Sequence, residues 1–380
     1  MSETVYFLGA GANRGLTNPQ GQKPPLDRDF FQSLAAQGKA RPNEIIPKGD
    51  TVPHHKFYSF GNVPPPKQAN QPPNIYWVYD FIQRFWRTSP KDLTSKPFSL
   101  EELFTFLQLK HQEARKSKSV KKADKYLFIE LVLEDRLYHY LRQFSDEAKS
   151  DPEMAQLGEV VYKQKSTIIT TNYDRFVEDI IDKASHSKSE ASSKQSALAW
   201  IVEDSYAFRF TDPKGWEKKV PSKPTRPLIL KLHGSINWGA IEYVKARVPT
   251  HEKSLVFYLE GWFDGYSAFG KPGEYLYKPL IIPMVLYKGK YLGHRAIQAV
   301  WKKALKELSE CQNLVVIGYS FPPTDFHVKK LFLEALSQRE LNELTIVNPD
   351  TSVVQRIKDF THFQKPAIVC SDIGEFLKQL

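Results

Sequence analysis

Val5-Tyr6-Phe7-Leu8 runs without interruption into Gly9-Ala10-Gly11-Ala12-Asn13. Four consecutive apolar residues with no polar alternation read as a strand buried on both faces. The two glycines after it permit a tight turn, which brings backbone N–H groups close to a phosphate. Such turns are common on their own. This one also lacks the third glycine of the full dinucleotide fingerprint, because position 14 is Arg14.

The same grammar recurs along the chain. Ser166–Thr170 leads into Thr171-Asn172-Tyr173-Asp174, and Leu228–Leu232 ends at His233-Gly234-Ser235. Leu280-Ile281-Ile282 reads as a further strand. Leu314–Ile317 precedes Gly318-Tyr319-Ser320, Leu344–Val347 precedes Asn348-Pro349-Asp350, and Ala367–Cys370 is a last short strand. Helical patterns follow at Arg175–Lys183, Arg295–Leu308, Phe326–Leu336 and Ile373–Leu377. Buried strands that hand over to helices through short polar clusters predict an α/β fold: a Rossmann-like, doubly wound parallel sheet. Ligands of such sheets bind at the carboxyl ends of the strands, where five of these clusters fall.

Two regions depart from that grammar. Arg14–Pro73 is rich in Pro, Asn and Gly and reads as a functional loop or lid, with Phe30-Phe31 and Phe57-Tyr58 as its anchors. From 74 to 147 the periodicity turns helical. Tyr76, Val78, Tyr79, Ile82, Phe85 and Trp86 share one face, Ser99 and Glu102 form a capping-box pair, and a third helix covers Ala123–Phe144. The expected organisation is therefore one sheet-based domain, 1–73 and 148–380, carrying a helical insertion at 74–147. His186–Ser196 reads as a mobile Ser/Lys-rich loop.

Composition narrows the classes. Hydrophobic residues make up 41% and charged residues 25%, the profile of a soluble globular protein. The first residues do not read as a signal peptide, and no apolar run approaches the roughly 20 residues of a membrane span, so a cytoplasmic setting without membrane contact is expected. Cys311 and Cys370 are the only cysteines, too few for a disulfide framework or a four-cysteine zinc site. They read as buried thiols, and no metal is expected. The net charge of +10 permits attraction to nucleic acid or to an anionic cofactor. The densest basic run, Arg115 to Lys122, has no interleaved aromatics, so it reads as a solvated connection, and any nucleic-acid contact would be indirect.

The polar clusters each carry two readings. Asn172 and Asp174 are good helix caps, yet together with Thr170 and Thr171 they exceed what one cap needs. His233 after a buried strand reads as a structural histidine, or as a reactive one approached past Gly234 and Ser235.

Gly9 to Asn13, Thr170 to Asp174, Lys231 to Ser235 and Gly318 to Ser320, in this order, resemble the motifs of the sirtuin-like family, and within it the bacterial NAD-hydrolase branch of anti-phage defence. The resemblance implies NAD as the substrate. Gly9, Ala10, Gly11 and Asn13 would hold its phosphates, and Asn172, Thr171 and Asp174 would line the nicotinamide–ribose pocket. His233 would be the general base, with Asn172 and Asp174 completing the catalytic set. Gly318, Ser320 and Asn348 would contact the adenosine half. Asp29 and Phe30 stand for the family's Asp-Phe pair near the nicotinamide, at a longer spacing from Gly11. The resemblance also implies a homo-oligomer and a separately encoded HerA/FtsK-type ATPase partner. Two departures, the missing four-cysteine module and Thr171 in place of the usual Gln, turn the expectation from protein deacylation towards hydrolysis of NAD. An NAD or ADP-ribose sensor without turnover, a protein deacylase or ADP-ribosyltransferase, and a nucleic-acid-binding protein are the alternatives.

Overall fold

The structure is a computed structural model that describes residues 3–17, 23–36, 75–142, 144, 150–187, 200–211, 226–243, 256–258, 267–269, 275–283, 285–286, 288–322, 324–337, 339–361 and 363–380. Six strands form one parallel sheet: β1 (Thr4–Leu8), β2 (Thr167–Thr170), β3 (Leu228–Lys231), β8 (Asn313–Ile317), β9 (Glu343–Val347) and β10 (Ile368–Cys370). Their order across the sheet is β10-β9-β8-β1-β2-β3, all neighbours parallel. This is the order of the doubly wound Rossmann sheet, and it reverses between β1 and β8.

Burial explains why these segments are strands. Val5 to Leu8, Thr167 to Thr170 and Leu228 to Lys231 are buried at every position, as apolar runs covered on both faces should be. Phe7, fully buried, meets Tyr319 and Phe332 edge to face at centroid distances of 5.0 and 4.8 Å. Such pairs contribute about 0.5–1.5 kcal/mol each beyond their buried area. The register levels the strand ends: Leu8 stands opposite both Thr170 and Ile317, Thr170 opposite Lys231, and Ile317 opposite Val347. Five connections therefore leave the sheet from a single row.

The connections hold α1 (Phe30–Ala36), α2 (Ile75–Trp86), α3 (Pro90–Leu93), α4 (Leu100–Lys116), α5 (Val120–Arg142), α6 (Pro152–Gln164), α7 (Phe176–Ser187), α8 (Gly289–Leu292), α9 (Arg295–Glu310), α10 (Phe326–Leu336), α11 (Ser352–Thr361) and α12 (Ile373–Leu377). The Ser99 cap is present, its Oγ accepting from Glu102 N at 3.1 Å. Asp27 adds a second cap to α4, accepting from Glu101 N at 2.7 Å. Helices α4 and α5 pair and α2 packs on α5, and their buried faces join the same apolar cluster as the sheet. The basic run is exposed across the α4–α5 turn. Both cysteines are buried, and burial pushes the Cys311 thiol up to about 12. No helix of the described residues is long and apolar enough to cross a membrane.

Two expectations need correction. The stretch from Arg14 is not all loop: α1 lies inside it and buries Phe30 and Phe31. And β3 is not followed by a helix. The chain turns at Gly234 into β4 (Gly234–Tyr243), which with β5 (Val256–Tyr258), β6 (Ser267–Phe269) and β7 (Tyr275–Ile281) forms a second sheet, antiparallel and ordered β5-β4-β7-β6. Leu280 and Ile281 belong there, not to the parallel sheet. The turn requires its glycine: Gly234 takes φ +79°, and any Cβ on it would lie 2.0 Å from the Leu280 carbonyl oxygen. Phe57, Tyr58 and most of His186–Ser196 lie outside the described residues.

Candidate active site

The first element of the site is the contact between β1 and β8, where the strand order reverses. Gly9 N–H donates to Ile317 O at 2.9 Å, and Gly11 N–H to Gly318 O at 2.8 Å. A Cβ on Gly9 would stand 2.5 Å from the Tyr319 ring, and one on Gly318, at φ +62°, 2.2 Å from Ala12 N. The glycines are thus needed for two backbones to pack against each other. Their own N–H groups are committed to the carbonyls of Ile317 and Gly318. Ala10 and Gly11 are exposed at this edge.

The second element is the end of β2. Thr170 Oγ1 donates to Leu8 O and accepts from Asn172 N, both at 3.0 Å, while Asn172 Nδ2 donates to Gly9 O at 3.0 Å. Thr171 N–H donates to Leu8 O at 3.1 Å. Asn13 Nδ2 donates to Asp174 Oδ2 at 2.5 Å, and Phe176 N–H to Asp174 Oδ1 at 3.3 Å. Asp174 therefore serves the start of α7 and the β1 turn together. Its carboxyl is pushed up to about 6 by burial, against the pull of Lys231. Lys231 lies beneath, donating to Asp174 O and, at 3.0 Å, to Glu178 Oε1. Tyr206 OH completes this buried layer, donating to Glu178 at 2.7 Å. Two charges buried here persist because they are paired and hydrogen-bonded.

His233 is the third element. Its carbonyl accepts from Ile282 N at 2.7 Å, and Ser235 Oγ donates to Tyr173 O at 3.2 Å, so β4 and β7 hold the turn that carries it. The residue is only 7% exposed, where an open approach past Gly234 and Ser235 was expected. Its Nε2 lies 3.4 Å from Asp325 Oδ1 and 3.3 Å from Lys288 Nζ. Lys288 and Asp325 form a buried ion pair, and Tyr319 OH donates to Asp325 Oδ2 at 2.6 Å. Burial, and after it the Lys288 charge, lowers the pKa of His233. Burial works to raise Asp325, but the His233 imidazole and the Lys288 ammonium beside it hold its carboxyl well below the usual range.

Lys288 and Asp325 were not visible as site residues in the sequence. Asp325 precedes α10 and reads there as an N-cap, yet its side chain makes no capping bond. A capping residue that does not cap is the structural sign of another use. Lys288 precedes the single turn of α8, a segment tied to the helical region: Leu286 N–H donates to Thr105 Oγ1 at 3.0 Å, Gln108 Nε2 to Tyr291 OH at 2.9 Å, and Tyr291 OH to Glu130 at 2.6 Å. Glu101, opening α4, accepts from Thr324 Oγ1 at 2.9 Å, and burial raises its pKa.

The remaining sequence candidates are spread wider. Asn348 follows β9 and accepts from Asp350 N–H at 3.0 Å, and Ser320 is exposed with its carbonyl bonded by Arg356. Asp29 pairs with Arg14 at 2.5 Å. Phe30 is fully buried beside Phe31 and Tyr140 at centroid distances of 5.2 and 6.4 Å, so its ring is committed to the core. Chemically, the row of strand ends offers a buried histidine able to accept a proton, two amides and a carboxyl of raised pKa.

Residues 166–359 match the SIR2-like domain family, which is more than half of the chain. The chain belongs to the SIR2-like family. The matched SIR2-like segment holds Asn172, Asp174, His233, Lys288, Gly318, Asp325 and Asn348; the Gly9 turn lies before it. No curated protein sequence matches the chain. Solved structures similar to this SIR2-like chain include a Sir2 homologue in complex with NAD, 12% identical over 100% of this chain and 88% of that one, with a TM-score of 0.38. A Sir2 enzyme studied for its mechanism and regulation is 13% identical over 100% and 90%, with a TM-score of 0.36.

Proposed function

We propose that this SIR2-like chain binds NAD at the β1–β8 switch point and cleaves its nicotinamide–ribose bond. The observation that carries the reading is the level row of strand ends. It brings the Gly9–Asn13 turn, Asn172 and Asp174, His233 and Gly318 to one edge, and direct hydrogen bonds already join three of these clusters.

The residues fit a dinucleotide. A diphosphate needs exposed backbone at a close-packed turn, and the glycines let the β1 turn lie flat on β8, their own N–H groups taken by Ile317 and Gly318, with Ala10 exposed between them. Breaking the bond develops positive charge on the ribose and releases nicotinamide, a good leaving group. The chain's tasks are to orient the ribose, exclude bulk water and take a proton from the attacking oxygen. Asn172 orients from the end of β2. His233, kept neutral by burial and by Lys288, takes the proton as general base. Asp174 carries a carboxyl with a pKa about 6 beside the same turn and lines the ribose side. With two cysteines the chain cannot form the four-cysteine module of protein-deacylating relatives, which favours water as the acceptor and ADP-ribose, linear or cyclic, as the product.

The same reading extends to NAD depletion in anti-phage abortive infection, by a cytoplasmic homo-oligomer acting with a HerA/FtsK-type ATPase. It takes Ser320 and Asn348 as adenosine contacts. The second reading, an NAD or ADP-ribose sensor without turnover, is favoured by one observation: Lys288 already stands at His233 Nε2.

The test is incubation with NAD and chromatographic separation of nicotinamide, ADP-ribose and cyclic ADP-ribose. Release is expected from wild type, and His233→Ala and Asn172→Ala should each lower it by about 100-fold or more while folding normally. Unchanged release in both folded variants would remove the site assignment. NAD binding without any product would establish the sensor.

A further inference from the structure

We propose that the buried Lys288–Asp325 pair is the positioning device of His233: it fixes which ring nitrogen carries the proton, and its two opposite charges favour and oppose protonation of the ring. This rests on the reading of His233 as the general base and gives that site its internal control.

Geometry carries the inference. Nζ of Lys288 and Oδ1 of Asp325 lie 3.3 and 3.4 Å from the same atom, His233 Nε2. All three residues are under 8% exposed, so the charges act through protein rather than through water. An ammonium has only donors to offer, so the neutral ring meets Lys288 with an unprotonated Nε2 and carries its proton on Nδ1. The protonated ring instead donates from Nε2 to Asp325. Asp325 is held for this role by Tyr319 OH at 2.6 Å and, although it stands at the N-cap of α10, makes no capping bond. Lys288 is held by its own short segment, bound to α4 through Thr105 and Gln108.

The other groups near His233 act less directly. Tyr173, after β2, has its ring 6.3 Å from the imidazole and its hydroxyl bonded to Ile282 O. His327, on α10, adds a cationic influence on His233 when protonated. Glu101 of α4 acts on Lys288 and Asp325 and is bonded to Thr324. None of these offers a second charge at hydrogen-bonding distance from Nε2. The lowered pKa of His233, with burial as its first cause and Lys288 as its second, agrees with this arrangement.

The experiment titrates the His233 imidazole by NMR in wild type, Asp325→Asn and Lys288→Met, with the resonance assigned by its loss in His233→Gln. The pH profile of kcat/KM for NAD is measured alongside. A charge of either sign this close moves a pKa by about one unit or more. Removing the Asp325 charge should lower the His233 pKa and shift the acid limb to lower pH. Removing the Lys288 charge should raise both. A merely structural role for the pair lowers activity without moving the titration in opposite directions, and that result, or an unmoved titration, overturns the proposal. If both titrations move as expected but the limb does not follow, the pair controls His233 and the general-base reading is what fails. If Asp325→Asn does not fold, Lys288→Met and Lys288→Gln carry the test, both with an upward shift expected.

Discussion

The wall of the site formed by the strand ends, Gly9 to Asn13 with Gly318 and Thr171 to Asp174, is held by backbone; the wall that meets His233, Lys288 with Asp325, is held by charge. On the first wall two chain turns touch with no room for a Cβ, and nearly every bond involves a carbonyl or an amide. On the second a lysine, a carboxylate, a tyrosine hydroxyl and an imidazole meet, brought by a connection of the second sheet, by α10 and by the end of β8. Backbone packing fixes position and is indifferent to pH. Buried charge fixes protonation and responds to every neighbouring charge. The proposed reaction would need both, because a general base must be in place and also in the right ionisation state.

Substitutions can break this contrast. The largest effect is expected on the backbone wall. Gly318→Ala puts a Cβ 2.2 Å from Ala12 N at φ +62°, and we expect a loss of about 3 kcal/mol in urea denaturation. Gly15→Ala is its control, with nothing within 4 Å of the new Cβ and an expected change within about 0.5 kcal/mol. Equal losses at the two positions would show that close packing is not what the β1–β8 contact requires.

A middle effect is expected at Asp174, which belongs to both kinds of wall. Asp174→Asn should cost about 1–3 kcal/mol, because its single amide oxygen cannot accept from both Asn13 Nδ2 and Phe176 N–H as the two carboxylate oxygens do. The pH dependence sharpens this. The folded-state pKa of about 6 lies above the ordinary 3.8, so the native protein holds this proton more tightly than the unfolded chain. The stability it contributes is complete below about 4 and is lost as pH rises through 6. Wild type should therefore lose stability relative to Asp174→Asn across that window, and parallel curves would mean that Asp174 titrates normally.

The smallest effect is expected at the anchor of the Lys288 segment. Gln108→Leu removes one bond to Tyr291 and should cost about 1 kcal/mol, with turnover within a few-fold of wild type. If it lowers turnover as far as Asp325→Asn does, the helical region governs the charged wall mechanically, and the electrostatic contrast gives way.

Much of the backbone wall was legible in the sequence because its signals are local. Val5 to Leu8 before Gly9, Ile169 and Thr170 before Asn172, and Val315 to Ile317 before Gly318 each show a buried strand and its exit within a few residues. Parallel pairing then makes the exits neighbours. The reason for the glycines was not legible: a Cβ clash with Gly318 or Tyr319 depends on a segment about 300 residues away in the chain. Gly234 misled in the same way, since its partner Leu280 lies beyond a stretch with no clean periodicity, and β4 was missed with it.

By itself the sequence determined the α/β class, the buried strands, the level polar edge with Asn172 and His233 on it, and the kinship with SIR2-like proteins. These follow from burial periodicity and short motifs, which are properties of contiguous residues. Only the tertiary structure decided the second sheet, the burial of Phe30 in the core and the meeting of Lys288, Asp325 and Tyr319 around His233. Those depend on which distant segments touch, and a charge acquires its partner, and an imidazole its proton, only where the folded chain brings them within a few ångströms.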